Sequence, residues 1–404
     1  MNIKQKIKSI ILSSLVSPNN RTIGMEEEII IITKKGKRLP VNKGDSFSGK
    51  ELIKTLNKYD DDGVYSLEPG GQVEWSSPPH KSLIDLDKVQ NEHKKNLNEV
   101  LDQNNLEAID YGVDPIFSPK EVDLIDEIKY KLMNQNMEKS GSMGKWMMRS
   151  TASVQINFDF VSEKELEEIV FVADCVNPVS AFLFSNSPFI NGEKVKNKNI
   201  RNIIWENTDN IRCKNLINHN ITSPKNLISR YIDYLKVVPG IFQLGQDGII
   251  EPTKGSLFNR LEELDKKDNL TDEDIKCALH QIFTNVRLKG LIEIRGADRP
   301  PIGHEMAPVS FWTGILTVES VRSEIFKKVI NWSYEDRIKF NKAALSLDDS
   351  AITVENKKYS YWNNWLSELA VIGLKERGMG EQILFEDFFD NVKSNGPFSL
   401  QLQQ

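Results

Sequence analysis

The chain has 404 residues, 27% of them charged and 39% hydrophobic, which is enough apolar content for a sizeable core and too much for a disordered chain. Its formal net charge of −6 gives no overall attraction to nucleic acid or to an anionic membrane, so any phosphate it binds needs a local positive site. Three widely spaced cysteines, Cys175, Cys213 and Cys277, make neither a paired metal motif nor a disulfide framework and fit a reduced, cytoplasmic setting.

The length suits one large mixed domain over residues 1–404. The N-terminal segment MNIKQKIKSIILSSLVSPNN resembles a signal peptide only in placing lysines ahead of the apolar run Ile10 to Val16. That run is short, lacks a small-residue cleavage site and reads as an amphipathic helix ending before Pro18. No stretch approaches the length of a transmembrane helix. In RTIGMEEEIIIIT the β-branched tail predicts a strand whose alternation turns Glu26 and Glu28 to one side and Glu27 to the other. A short helical pattern over Glu51 to Tyr59 and a turn over Asp60 to Gly63 follow. Next comes VYSLEPGGQVEWSSPP, two short strands around Pro69, Gly70 and Gly71, which can return Glu68 and Glu74 to one neighbourhood.

Leu83 to Leu101 has helical apolar spacing, Leu106 to Pro115 predicts a strand, and a Met- and Gln-rich helical stretch precedes Gly141 and Gly144. Alternation is cleanest from Arg149 to Phe160, RSTASVQINFDF. Here Arg149, Thr151, Ser153, Gln155, Asn157 and Asp159 share one face of a predicted strand, and Ala152, Val154, Ile156, Phe158 and Phe160 the other. An ordinary half-exposed strand shows such a pattern, but Arg, Gln, Asn and Asp in one row carry more functionality than a solvated face needs. Ser162 with Glu165 forms a capping-box pattern ahead of a mostly buried helix that Pro178 should disturb. Asn199 to Arg212 concentrates arginines, a tryptophan and acids. Tyr231 to Phe242 reads as an apolar strand or turn and Thr271 to Phe283 as a helix. In NVRLKGLIEIRGADRPP, Arg287, Leu291, Glu293 and Arg295 fall on one strand face. Beyond Glu305 the pattern is helical, with Trp312, Trp332, Trp362 and Trp365 as core or helix-contact residues.

Glu26, Glu28, Glu68, Glu74 and Glu293 thus sit on strands or strand turns, together with Arg149, Arg201 and Arg295. Convergent carboxylates repel one another unless a cation lies among them, and oxygen ligands without clustered histidines suit magnesium. Arginines on the same faces can bind phosphate or a substrate carboxylate through paired hydrogen bonds. The combination points to nucleotide phosphoryl chemistry, although GxxxxGK[ST] is absent. His80, His93, His219, His280 and His304 are scattered and read as structural or surface residues, and no local signature supports a Ser-His-Asp or Cys-His hydrolase.

The segments GMEEE, SLEPGGQVEWSS, MMRSTASVQINFDF, NIRNIIWENTDNIR and FTNVRLKGLIEIRGAD, in this order over about Arg21 to Trp312, resemble the plant and proteobacterial type of glutamate-cysteine ligase. The resemblance implies an α+β fold related to glutamine synthetase: a curved antiparallel β-sheet funnel of about half a dozen strands surrounded by helices. It implies an enzyme, monomer or homodimer, that joins glutamate to cysteine with ATP and Mg2+. By the same resemblance Glu26, Glu28, Glu68, Glu74 and Gln155 are metal ligands, and Glu293 bridges metal and nucleotide. Arg295 holds the transferring phosphate, Arg201 the glutamate carboxylate, and Asn157 and Trp205 are substrate contacts. Arg149 is a further catalytic charge partner for phosphate or substrate. No residue that reads the thiol can be named. A ligase using another amine, or a non-catalytic nucleotide-binding descendant, are the alternative readings.

Overall fold

The computed structural model describes residues 2–44, 47–59, 63–245 and 247–404, so Asp60 to Asp62 of the expected turn lie outside the described residues. The strands are β1 (Ile23–Thr33), β2 (Val64–Leu67), β3 (Val73–Ser76), β4 (Leu106–Ile109), β5 (Ser153–Phe158), β6 (Phe189–Ile190), β7 (Glu193–Lys194), β8 (Phe242–Leu244), β9 (Ile250–Pro252), β10 (Val286–Leu288) and β11 (Ile292–Asp298). Seven of them form one antiparallel sheet in the order β10-β11-β5-β1-β3-β2, with β4 paired to the C-terminal half of β1. Strands β6 and β7, and β8 and β9, are separate hairpins.

Strand β1 lies at the centre because it can be covered on both sides. Its tail, Ile29 to Ile32, is buried throughout, as expected of a near-continuous β-branched run inside a sheet. The first helices are α1 (Ile3–Ile11), α2 (Gly49–Leu56), α3 (Leu83–Gln103), α4 (Ile128–Ser140), α5 (Gly144–Ser150), α6 (Glu163–Leu183) and α7 (Ile200–Glu206). Helix α6 and the helix Met306–Leu316 pack behind β11 and β5, which gives the α+β arrangement expected of the chain. Helix α6 is capped by Ser162 Oγ accepting from the Glu165 N–H, and it continues through Pro178 instead of ending there. Behind it, Met306–Leu316 and Tyr359–Glu376 touch backbone to backbone, for a Cβ at Gly373 would lie 2.0 Å from the Gly314 carbonyl oxygen. Trp312, Trp332 and Trp362 are buried as core aromatics, and Trp365 packs against them.

Three expectations change. The one strand expected to carry Arg287, Leu291, Glu293 and Arg295 is a hairpin of β10 and β11, in which Arg287 lies opposite Glu293 and Leu291 falls in the bend at Gly290. Arg149 and Ser150 end helix α5, so the strand begins only at Ser153 and its alternation includes Gln155 and Asn157 but not Arg149. The segment Tyr231 to Phe242 begins as a helix, because Leu227–Tyr234 places Leu227, Ile228, Tyr231 and Ile232 on one buried face, and only then turns over Leu235 to Val237 and opens β8 at Phe242. Among the described residues no helix is long and apolar enough to cross a membrane, and all three cysteines are free thiols.

Candidate active site

The sheet register sets the carboxylates side by side. Glu28 of β1 lies opposite Glu74 of β3, which lies opposite Ser66 of β2; Glu26 lies opposite Gln155 of β5. Like charges directly across a strand pair repel, so this register favours a cation between them. The turn Glu68-Pro69-Gly70-Gly71 then carries Glu68 back over the same face. Gly71 adopts φ +80°, and Gly70 packs where a Cβ would come within 2.5 Å of Arg149 Cα. Oxygens of Glu28, Glu68 and Glu74 lie within 4.8 Å of one another.

These three residues line a cavity of about 260 Å³ with Glu26, Gln155, Lys129, Tyr130, Met133, Phe242, His280, Phe283, Arg287, Lys289 and Arg295. Burial, reinforced by the neighbouring carboxylates, raises the Glu28 and Glu68 carboxyls to about 7 and that of Glu74 to about 8. Arg201 and Arg295 beside Glu28, Lys129 and Arg295 beside Glu68, and Lys289 beside Glu74 offset this only in part, as do Ser153 Oγ donating to Glu28 Oε2 at 2.9 Å and Ser66 Oγ to Glu74 Oε1 at 3.0 Å.

The opposite side of the cavity is cationic. Arg287 of β10 donates from Nε and Nη2 to both oxygens of Glu293 at 2.5 and 2.9 Å, Arg295 Nη1 reaches Glu293 Oε2 at 3.0 Å, and Lys289 pairs with Glu293 Oε1. Burial alone would neutralise Glu293, but Arg287, Lys289 and Arg295 outweigh it and hold the carboxyl well below its ordinary range. Glu293 therefore stands apart from the carboxylate triad, fully buried and enclosed by cations. Lys289 also donates to Glu26 Oε1 at 3.2 Å, and Asn157 Nδ2 donates to the same oxygen at 2.9 Å. Gln155 joins the two halves: its Nε2 donates to Glu28 Oε1 at 2.9 Å, and its Oε1 accepts from Arg295 Nη1 at 2.5 Å. The amide oxygen expected to face a metal thus faces a guanidinium.

Arg201, Trp205 and Asn157 stand one layer behind the cavity wall. Arg201 on α7 is buried and donates from Nη2 to the Arg295 carbonyl at 3.3 Å, and the Trp205 ring centroid lies 5.7 Å from both the Arg201 and the Arg295 guanidinium carbons. Arg201 Nε, Arg295 Nε and Trp205 Nε1 are buried without a hydrogen-bond partner, which marks this corner as donor-rich. Arg149 is elsewhere: its guanidinium donates to the carbonyls of Pro119 and Val122 and to Asn134 Oδ1, so it ties a loop to α4.

Glu27 points away from the cavity, as the alternation of β1 requires. Burial opposes its ionisation, but Arg299 at 3.2 Å, with His93 and Gln90, holds the carboxyl at about 2. Sequence reasoning assigned no role to Arg287 or Lys289, because Arg287 reaches the site from the neighbouring strand β10, where it pairs across from Glu293, and not by alternation along the strand of Arg295. Lys129 and Tyr130 open α4, and Phe242 and Phe283 come from segments whose position beside the sheet is set only by the tertiary fold.

A model of glutamate-cysteine ligase family 2 (GCS2) matches residues 22–351. The chloroplastic glutamate–cysteine ligase of Medicago truncatula is 29% identical over 327 residues, covering 78% of this chain and 62% of that protein. The chloroplastic enzyme of Nicotiana tabacum is 31% identical over 276 residues, covering 67% and 52%. The chain thus spans less than two thirds of the length of either relative. A crystal structure of glutamate–cysteine ligase from Francisella tularensis in complex with AMP superposes with a TM-score of 0.58 at 12% identity, covering 95% of this chain and 84% of that one, and shares the fold.

Proposed function

The chain belongs to glutamate-cysteine ligase family 2, and from that membership and the cavity we propose that it joins the γ-carboxylate of L-glutamate to the amine of L-cysteine at the expense of ATP. The observation that carries the reading is the bipolar cavity: Glu28, Glu68 and Glu74 within 4.8 Å on one side, Arg287, Lys289 and Arg295 on the other. An all-oxygen set of carboxylates raised by burial and by one another's charge fits a hard divalent ion such as Mg2+, with Glu26 as a neighbouring oxygen donor. A bound ion of this kind supplies Lewis-acid charge neutralisation on phosphate oxygens.

The chain's own residues supply the rest. A carboxylate is a poor electrophile until one of its oxygens becomes a leaving group. The γ-carboxylate oxygen of glutamate attacks the terminal phosphorus of ATP, ADP departs, and the amine then attacks the acyl carbon, loses a proton and expels phosphate. Arg295, Arg287 and Lys289 are placed to hold phosphate oxygens and offset the charge that develops on them. Glu293 keeps those three cations together. Arg201, with Trp205 beside it, holds the substrate carboxylate by resemblance to the family.

The test is ADP release with ATP, Mg2+ and glutamate across a panel of amines. Turnover highest with cysteine supports the reading. A different amine ahead by more than about tenfold, about 1.4 kcal/mol in transition-state binding, assigns the chain to another acceptor, and no ADP with any amine overturns the ligase reading.

A further inference from the structure

We propose that Asn177 and Gly296 form a steric lock that aims Arg295 into the cavity, which makes Asn177 a positioning residue although it sits on α6 behind the sheet. The inference rests on the reading of Arg295 as a phosphate-binding residue. It begins from a break in the register of β11. Ile294 pairs with Ile156 and Ala297 with Val154, so Arg295 and Gly296 together oppose the single residue Gln155. One extra residue on one strand is a β-bulge, a device that bends the strand and re-aims a side chain.

The bulge has no room to relax backwards. A Cβ at Gly296 would lie 2.1 Å from Asn177 Oδ1 and 3.0 Å from its Cγ. Asn177 is 3% exposed, and its Oδ1 is buried without a hydrogen-bond partner. An unpartnered amide oxygen is a poor choice for a core position that an apolar side chain could fill. Its place is explained if it faces the Gly296 Cα, where it makes a weak Cα–H contact in the space a Cβ would take.

The other end of the amide leads back to the same arginine. Asn177 Nδ2 lies 3.5 Å from Asn215 Oδ1, which accepts from Asn285 Nδ2 at 2.6 Å, and the Asn285 carbonyl accepts the Arg295 N–H at 2.9 Å. Arg201 Nη2 holds the Arg295 carbonyl. Arg295 is therefore held at its N–H through the asparagine chain, at its carbonyl by Arg201, and at the next residue by Asn177. The guanidinium then has Gln155 and Glu293 within reach.

The experiment compares Gly296→Ala, Asn177→Ala and the double variant in the full chain. The readouts are kcat and KM for ATP and glutamate, melting temperature, and the Arg295 Nε–Hε nuclear magnetic resonance signal, assigned through its loss in Arg295→Lys. Gly296→Ala is expected to lower kcat about 100-fold, the scale on which a displacement of roughly 1 Å acts, and to move the Arg295 signal. Removing the obstructing amide in the double variant should return kcat to within about tenfold of wild type and restore the signal. Asn177→Ala alone should broaden the signal and lower kcat about tenfold with the glutamate KM unchanged, and it decides the matter if Gly296→Ala does not fold. An unchanged Arg295 signal in Asn177→Ala, or a double variant no better than Gly296→Ala, overturns the lock. If the wild-type chain consumes no ATP, the ligase reading falls, and the Arg295 signal still decides the lock.

Discussion

Arg295 Nη1 donates to Gln155 Oε1 at 2.5 Å, and that bond settles which way the Gln155 amide faces. A guanidinium can only donate, so the amide must present its oxygen there and its nitrogen to Glu28. Gln155→Leu keeps the volume of the side chain and leaves both partners without this bond inside a buried site. Hydrogen bonds to charged groups contribute about 1.5–3 kcal/mol, so a fall in kcat of roughly 10- to 100-fold is expected, with a lower melting temperature. Wild-type turnover in Gln155→Leu would show that the bridge between the two halves is idle.

The central strand could be read from residues alone because period-two alternation in β1 and β5 is a local property: Glu26 and Glu28 against Glu27, and Gln155 and Asn157 against Ile156. The glycine turn likewise announced that Glu68 and Glu74 return together. Arg149 went astray because the alternation ran on into residues that end a helix, and nothing in RST distinguishes a helix terminus from a strand start. Arg38 explains that termination, since its Nη2 donates to the Gly70 carbonyl at 2.6 Å and to the Arg149 carbonyl at 3.3 Å. Such a contact, 111 residues apart in the chain, has no sequence signal. The same holds for Phe242, Phe283 and Lys129, whose place in the cavity follows from how their elements dock against the sheet.

The raised carboxyls predict how Mg2+ stabilisation depends on pH. Glu28 and Glu68 near 7 and Glu74 near 8 hold protons in the folded chain that they release in the unfolded chain near the ordinary 4.5. The native state thus binds more protons between about pH 4.5 and 8, and this contribution to stability is present below that window and lost as pH rises through it. An ion that takes the place of those protons should gain most where they are absent. The rise in melting temperature produced by Mg2+ is expected to be larger at pH 8 than at pH 6 and to vanish in Glu68→Gln/Glu74→Gln. A rise that is equal at both pH values would separate the ion from this triad.

Arg149 distinguishes a structural from a catalytic arginine. It donates to two carbonyls and to Asn134, and it lines none of the cavity, so Arg149→Met should lower the melting temperature and leave the KM for ATP and for glutamate within about twofold of wild type. Arg201→Lys should raise the glutamate KM, because lysine keeps the charge and loses the planar fork suited to a carboxylate, and it should lower the melting temperature as well, since Arg201 is buried and holds the Arg295 carbonyl. A glutamate KM that rises in Arg149→Met and holds in Arg201→Lys would exchange the two roles.

The chemistry itself can be read from the fate of one oxygen. If the γ-carboxylate of glutamate is phosphorylated before the amide forms, the carboxylate oxygen that attacked ATP leaves attached to phosphorus. Oxygen-18 placed in that carboxylate must then appear in the released phosphate, one atom for each amide made. Other routes send it elsewhere: an adenylate intermediate would carry the label into AMP, and hydrolysis of ATP by water would give phosphate without it. The cationic side of the cavity favours the first route, because Arg287, Lys289 and Arg295 converge around one buried counter-charge, Glu293, and are placed to grip a terminal phosphoryl group as it moves in line between two oxygens. Mass spectrometry of phosphate from a single turnover gives the answer directly. Unlabelled phosphate alongside stoichiometric amide would exclude the acyl phosphate whichever amine proves to be the acceptor, and labelled phosphate from Arg295→Lys at a reduced rate would place that arginine on the transfer step without making it indispensable to the route.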